Sequence, residues 1–283
     1  MAELLKGGPV ARAITEDLAS RAAALKAAGV APRLAIVRVG EREDDLSYER
    51  GALKRCEKVG IEARRVLLPG DCSQEELLRV VRELNDDASV HGILLFRPLP
   101  DQLDEAEVAR ALDPAKDVDC MTPSSLLHTL TGMGEGFAPC TAEAVLAILD
   151  HYEVPLEGVR VAVVGRSLVI GKPVSLMLQA RNATVTMCHT RTRDLASELK
   201  RADVIVAAAG HAGTVGAECV SPGQVVVDVG INWDERAGKL VGDVDFDAVE
   251  PVVGAITPVP GGVGAVTTSI LAKHVIESAE KGR

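Results

Sequence analysis

Aromatic side chains are nearly absent from this chain: three Phe, two Tyr and one Trp make up 2% of 283 residues. The core must therefore be built from Val, Ile, Leu and Ala. That favours α/β layers, whose buried parallel strands read as aliphatic runs. It argues against carbohydrate-binding or RNA-stacking surfaces, which need aromatic faces. Scarcity also makes each aromatic residue informative.

Other absences narrow the function. Acidic residues outnumber basic ones 41 to 31, a net charge of −10. Basic residues cluster only in pairs, such as Arg64-Arg65 and Arg191 with Arg193, too few for a duplex, so no nucleic-acid partner is expected. No apolar run approaches the roughly 18 residues of a membrane helix. The N-terminal stretch lacks the apolar core of a signal peptide, so a cytoplasmic protein with no membrane partner is expected. The six cysteines, at 56, 72, 120, 140, 188 and 219, include no CxxC pair. They read as free reduced thiols, and with no clustering of thiols or His no metal site is expected.

What is present is an alternation of aliphatic strands and helical segments, without internal repeats. Strands are predicted at Ala31–Val39, Ile61–Leu68 and Gly92–Phe96. Helices are predicted at Glu43–Val59, ending at the C′ residue Gly60, and at Ser73–Asn85, where Ser73 and Glu76 form a capping pair. Two short helices follow, near 104–111 and 123–130. The Gly-rich stretch 131–139 is the candidate domain junction, after which Thr141 caps a helix over Ala142–Tyr152. The pattern then restarts. Strands at Val159–Val164, Ala183–Cys188, Val204–Ala208, Gln224–Val229 and Ala255–Thr257 alternate with helices beginning near Lys172, over Asp194–Lys200 and over Gly264–Lys281. This predicts parallel sheets, with the second half the Rossmann candidate.

The strand ending in Val164 runs into Gly165-Arg166-Ser167-Leu168-Val169-Ile170-Gly171-Lys172-Pro173. A glycine there allows a tight turn, and the following helix N-terminus can hold a phosphate. The spacing GxSxxxG also fits a plain strand–turn–helix. The next strand ends in His189-Thr190-Arg191-Thr192-Arg193, with no acid to bind a ribose diol. Hydroxyls and guanidiniums suit a 2′-phosphate, which favours NADP over NAD. Arg191 as a merely solvated loop residue is the alternative.

In order along the chain stand Tyr48 with Cys56…Val59-Gly60-Ile61, Gly92-Ile93-Leu94-Leu95 with Pro98-Leu99-Pro100, and Lys116-Asp117-Val118-Asp119. Then come Pro139-Cys140-Thr141, Val164-Gly165-Arg166-Ser167 with Gly171 and Pro173, and Ala183-Thr184-Val185-Thr186…Cys188-His189. Val227-Asp228-Val229-Gly230-Ile231-Asn232, Gly242-Asp243-Val244 and Thr257-Pro258-Val259-Pro260-Gly261-Gly262-Val263-Gly264 with Thr267 close the set. This ordered set resembles the bacterial FolD-type methylenetetrahydrofolate dehydrogenase/cyclohydrolase family over essentially the whole chain. The resemblance implies an α/β fold of two domains with the active-site cleft between them. An N-terminal folate-binding domain would take residues 1–140 plus the C-terminal helix 265–283, and a doubly wound Rossmann-type NAD(P) domain residues 141–264. It also implies a homodimer, oxidation of 5,10-methylenetetrahydrofolate to the 5,10-methenyl form with NAD(P)+, and commonly hydrolysis to 10-formyltetrahydrofolate.

Two departures matter. The family's first long helix reads Tyr-x-x-x-Lys, and here the lysine position is Ala52. Lys54 is about 200° away around the helix. Arg55 shares the face of Ala52, but a guanidinium stays protonated and is no base. The family's third-strand glutamine is Phe96, followed by Arg97; the acid is kept as Asp119. Hydride loss from the methylene carbon leaves a cation stabilised by two nitrogens and needs mainly alignment. Hydrolysis needs water deprotonated and a nitrogen protonated, and Ala52 and Phe96 can do neither. A dehydrogenase with weak or absent cyclohydrolase activity is therefore expected.

Tyr48 and Asp119 are the candidate catalytic and folate-binding residues, Tyr48 by packing and Asp119 by accepting pterin N–H groups. Ordinary packing and a turn or capping role are their alternatives. Pro260, Gly261 and Gly262 are read as substrate-lining, or as a plain turn. Gly165, Arg166, Ser167, Gly171, Thr190, Arg191 and Ile231 are assigned to the cofactor. Asp117 reads as structural, His189 as a packed strand end, and Cys140 and Cys188 as small buried residues. A fully bifunctional enzyme, with Arg97 or Arg55 compensating, a catalytically silent folate- or nucleotide-binding homologue, and a related Rossmann oxidoreductase on another substrate remain as rivals.

Overall fold

A computed structural model describes residues 1–235 and 238–282. The chain opens with β1 (Glu3–Leu4) and α1 (Gly7–Ala27). Next come β2 (Arg33–Val39), α2 (Glu43–Val59), β3 (Glu62–Leu68), α3 (Gln74–Asp86) and β4 (Gly92–Leu95), then α4 (Glu105–Ala111) and α5 (Pro123–Thr131). α6 (Cys140–His151) leads to β5 (Arg160–Val164), α7 (Gly171–Ala180), β6 (Thr184–Cys188), α8 (Leu195–Lys200), β7 (Val204–Ala207) and β8 (Val225–Asp228). An antiparallel ribbon of β9 (Asn232–Asp234) and β10 (Lys239–Val241), then α9 (Phe246–Val249), β11 (Ala255–Ile256) and α10 (Thr267–Lys281), complete the order.

Two compact units emerge. One comprises Arg12–Cys140 with the residues from Thr268 on; the other comprises Met1–Ala11 and Thr141–Thr267. The sequence reading kept residues 1–140 together, and here the structure differs. β1 pairs in parallel with β11, Glu3 opposite Ala255 and Leu4 opposite Ile256, which draws the first eleven residues into the second unit. Nothing local in Glu3-Leu4 signals a strand, because its partner lies at the other end of the chain.

The first unit is built on a parallel three-stranded sheet in the order β3-β2-β4. The central strand β2 is buried almost throughout, as an aliphatic run covered on both faces requires. α2 has the predicted bounds: three acids occupy its first turn, and Gly60 (φ 87°) caps its end with N–H bonds to the carbonyls of Cys56 and Glu57. At α3, Ser73 Oγ accepts from Glu76 N at 3.2 Å. The helix turns Leu77, Leu78, Val80, Val81 and Leu84 into a core shared with Ala35, Val37 and Ile93. Burial on this scale is worth about 1.5–3 kcal/mol per large aliphatic side chain.

The second unit carries a six-stranded parallel sheet in the order β1-β11-β8-β7-β5-β6. Numbering its strands from β5, the order is 2-1-3-4-5 with β1 added at the far edge. That is the doubly wound arrangement, whose ligand crevice lies at the carboxyl ends where the winding reverses, here between β5 and β7. β7 is fully buried and β8 nearly so.

Strand and helix ends shift by one or two residues from the expected ones. One shift has a chemical cause: α6 begins at Cys140, not after Thr141. Its first N–H, that of Cys140, donates to Asp119 Oδ1 at 3.1 Å, so Asp119 takes the capping part expected of Thr141. The final helix begins at Thr267, after a 3-10 turn over Val263–Ala265. None of the six cysteines is in a disulfide and five are buried, Cys140 and Cys188 completely. Among the described residues no helix is long and apolar enough to cross a membrane.

Candidate active site

Helix α2 presents Tyr48, Ala52 and Cys56 on one face, because residues four apart lie one turn above another. Ala52 is fully buried, and Cys56 nearly so. The helix is held in rotation by Glu49, beside Tyr48. Glu49 Oε2 accepts from Arg38 Nε at 2.9 Å, its Oε1 pairs with Arg65 Nε, and Arg38 and Glu49 are both buried. A buried ion pair is tolerated only when well bonded, and this one joins α2 to β2 and β3. The signal was in the sequence: Arg38 is a charge inside an aliphatic strand.

Phe96 follows β4 and continues its ladder, donating its N–H to Val37 O at 3.2 Å. It is 8% exposed, and its ring meets that of Tyr48 edge to face. The residue standing where the resemblance expects glutamine is thus packed against the candidate folate tyrosine.

Asp119 completes this group. Burial pushes its carboxyl above the usual carboxylate range, against the lowering effects of its bonds from Cys140 and of the Arg97 charge. The Tyr48 phenol is pushed well above its ordinary value, first by burial and then by the negative charge of Asp119. The Tyr48 phenol therefore stays protonated near neutral pH and is no base for activating water. Asp117, by contrast, is structural as expected: its carboxylate accepts from Met121 N at 2.9 Å and Thr122 N at 2.7 Å.

None of three nearby cations fills the place of a lysine at 52. Lys54 is exposed on another face of α2. Arg55 donates to Thr15 Oγ1 and to Thr268 Oγ1. Arg97 reaches Glu105 at 3.7 Å.

The second unit holds the remaining candidates. Gly165 has φ 134°, and a Cβ there would lie 2.1 Å from Ala208 O. A Cβ on Gly171 would lie 2.3 Å from Gly165 O. The turn from β5 into α7 therefore folds back on itself at two glycines, at the reversal between β5 and β7. Ser167 Oγ accepts from Ile170 N (3.1 Å) and Gly171 N (3.4 Å), securing the entry of α7. Arg166 and Ser167 are exposed, as are Thr190 and Arg191 after β6. His189 is a turn residue, its Nδ1 accepting from Arg191 N at 3.1 Å. These residues fit a dinucleotide: a glycine turn closed tightly on its own backbone, a helix N-terminus, and two exposed guanidiniums. Ile231, which follows β8, is 63% exposed.

Pro260, Gly261 and Gly262 fall in this second unit, not with Tyr48 and Asp119. Gly261 has φ 102°, and its carbonyl accepts from Gly7 N at 2.8 Å at the start of α1. A Cβ on Gly262 would lie 2.5 Å from Pro258 O. Sequence reasoning also missed Asp228 and Asp243, two buried carboxylates at the carboxyl end of the sheet. The signal for them was an acid closing an aliphatic strand and another beside a glycine.

Two family models match most of the chain. Residues 5–119 match the catalytic domain of tetrahydrofolate dehydrogenase/cyclohydrolase, and residues 139–283 match its NAD(P)-binding domain. The bifunctional protein FolD of Clostridioides difficile is 51% identical over 278 residues, covering 98% of this chain and 96% of that one. The bifunctional FolD structure from Campylobacter jejuni is 38% identical, with a TM-score of 0.96 and 99% coverage of both chains. The Trypanosoma brucei structure, a methylenetetrahydrofolate dehydrogenase-cyclohydrolase complexed with NADP and an inhibitor, is 36% identical, with a TM-score of 0.93 and coverage of 99% and 98%.

Proposed function

This chain belongs to the tetrahydrofolate dehydrogenase/cyclohydrolase family, and on that premise we propose that it is an NADP-dependent 5,10-methylenetetrahydrofolate dehydrogenase whose cyclohydrolase step is absent or much reduced. The observation that carries the proposal is the pair Ala52 and Phe96: a buried methyl group and a buried ring beside Tyr48, where the family places a lysine and a glutamine.

NADP+, when bound, supplies the hydride acceptor. The protein's part in that step is alignment. Tyr48 lies against the folate rings, and Asp119 accepts N–H donors of the pterin. The Pro260–Gly262 turn offers backbone close to the substrate, since no Cβ stands at Gly261 or Gly262. Gly165 and Gly171 let the turn close tightly so that the pyrophosphate meets the N-terminus of α7, Ser167 holds that turn, and Ile231 packs on the cofactor. Arg166, Thr190 and Arg191 hold the 2′-phosphate, consistent with β6 ending at Cys188 and being followed by His189 rather than by an acid. Loss of hydride from the methylene carbon leaves a cation shared by two substrate nitrogens, and no proton has to move.

Hydrolysis is a different demand. A water proton must leave as the C–O bond forms, and a nitrogen must gain a proton as the C–N bond breaks. Such acid–base help is worth about 10²–10⁴ in rate, and no side chain at 52 or 96 can give it. The relatives' name, bifunctional FolD, favours a second reading in which Arg97, close enough to lower Asp119, supports the step with a water.

Purified protein is assayed with methylenetetrahydrofolate and NADP+ or NAD+, following reduced nicotinamide and then 10-formyltetrahydrofolate. NADPH forming faster than NADH, with the methenyl product persisting at its spontaneous rate of decay, is the expected result. Rapid 10-formyltetrahydrofolate formation establishes the bifunctional reading instead. Absence of reduced nicotinamide with either cofactor leaves a binding protein or another substrate. The homodimer implied by the resemblance is part of the proposal, and light scattering should give twice the 29.7 kDa chain mass.

A further inference from the structure

Asp228 and Asp243 have no part in the reading above, yet they are 3% and 0% exposed. Asp228 closes β8. Its Oδ1 accepts from Gly230 N at 2.9 Å and Asp243 N at 3.0 Å, and its Oδ2 accepts from Val244 N at 3.0 Å. Asp243 Oδ2 accepts from Ala209 N at 2.6 Å and Gly210 N at 2.9 Å, and its Oδ1 accepts from Asn232 Nδ2 at 2.9 Å. Backbone donors from three separate segments therefore converge on two adjacent carboxylates. Hydrogen bonds to an ionised acceptor are the strong ones.

Glycines let the segments approach. A Cβ on Gly230 would lie 2.2 Å from Asp243 Oδ1, and one on Gly242 would lie 1.8 Å from Asp228 Oδ2. The motifs Asp228-x-Gly230 and Gly242-Asp243 interlock, each glycine making room for the other motif's carboxylate.

This node reaches both ends of the nucleotide region. Ala209 and Gly210 follow β7, and the preceding carbonyl, Ala208 O, is the atom against which Gly165 packs. Ala208 N also donates to Val164 O at 2.8 Å. Ile231 lies between Gly230 and Asn232, and both of these are bonded to the node. A continuous path thus runs from the phosphate turn through Ala208–Gly210 to Asp243, and on to the Ile231 segment.

We infer that Asp243, supported by Asp228, is a positioning residue for the nucleotide: it fixes the Ile231 segment relative to the Gly165 turn. The inference rests on the assignment of those two segments to NADP. A carboxylate that only stabilised the sheet would, when neutralised, lower the melting temperature and leave the affinity of the folded protein unchanged. A positioning carboxylate must change affinity as well.

The test is Asp243→Asn in the full-length chain, with NADP+ Kd by calorimetry and steady-state kinetics. An amide nitrogen then confronts N–H donors. NADP+ Kd and KM are expected to rise about tenfold or more, while kcat at saturating NADP+ stays within about threefold and the KM for methylenetetrahydrofolate is unchanged. If that variant does not fold, Asn232→Ala decides, since it removes one side-chain link and leaves both carboxylates; a rise of about threefold to tenfold in NADP+ Kd is expected. Asp117→Asn, which alters a buried capping carboxylate of the other unit, is the control: it should lower the melting temperature without moving NADP+ Kd. A folded Asp243→Asn or Asn232→Ala variant with the parent Kd overturns the inference, whatever its melting temperature. A parent protein that binds no NADP+ overturns the nucleotide assignment itself.

Discussion

The rings of Tyr48 and Phe96 meet edge to face, with centroids 5.8 Å apart and planes at 84°. Such a pair contributes about 0.5–1.5 kcal/mol beyond its buried area. Phe96 therefore holds the candidate folate tyrosine in place, in addition to taking away a polar group. Phe96→Ala should cost about 3–5 kcal/mol of stability by urea unfolding. It should also raise the KM for methylenetetrahydrofolate, because Tyr48 loses its neighbour. An unchanged KM would separate the ring contact from substrate binding.

Restoring the family's chemistry requires both positions. Ala52→Lys alone puts an ammonium at a fully buried site one helical turn from Tyr48, which is costly unless it is bonded; it is expected to destabilise and to gain little activity. Ala52→Lys with Phe96→Gln supplies the bonding partner. The double variant should hydrolyse the methenyl product about 10²–10⁴ times faster than the parent, more than the two single changes combined, because the residues act as a coupled pair. The decay of the methenyl absorbance measures it.

Cofactor choice is expected to turn on the exposed guanidiniums. Hydrogen bonds to charged groups contribute about 1.5–3 kcal/mol, so Arg191→Ala should raise the KM for NADP+ by about 10–150-fold and leave that for NAD+ nearly unchanged. Parallel initial rates with the two cofactors give the ratio. An equal effect on both would place Arg191 outside the 2′-phosphate site.

Asp228 makes stability depend on pH. Burial beside Asp243 outweighs the three N–H donors and pushes its carboxyl up from 3.8 to about 6. The folded protein then binds this proton more tightly than the unfolded chain does. The stabilisation is complete below about pH 4 and is lost as the pH rises through about 6, with an upper magnitude of roughly 3 kcal/mol. Thermal unfolding of the parent and of Asp228→Asn from pH 4 to 7.5 should show the parent losing stability relative to the variant across that window. Parallel curves would count against the shift.

Much of this molecule was legible in advance because its cues are local. α2 was read to the residue from its apolar face and Gly60, and α3 from the pairing of Ser73 with Glu76. The glycine turn of the nucleotide unit announces itself in the residues from Gly165 to Gly171. What escaped depends on distance. α1 opens on Gly7-Gly8-Pro9, whose breakers mask the start of the helix, although the buried Leu18, Ala22 and Leu25 keep helical spacing. β1 exists only because β11 is there to pair with it. Asp243 gathers donors from Ala209, Gly210 and Asn232, and no spacing rule in one sequence links those positions. The expectation for Thr141 failed for the same reason, since the acceptor for the first turn of α6 came from Asp119.

The pairing of β1 with β11 bears on how the chain is made. Each compact unit is assembled from two stretches: Met1–Ala11 joins Thr141–Thr267, and the residues from Thr268 on join Arg12–Cys140. β1 waits for β11 to be synthesised, and the three-stranded unit waits for the residues from Thr268 on. Neither unit can therefore be completed from the first 140 residues alone, and a protein cut at residue 140 would release two halves that each lack a piece held by the other. Split at that point, the fragments should recover structure only when mixed.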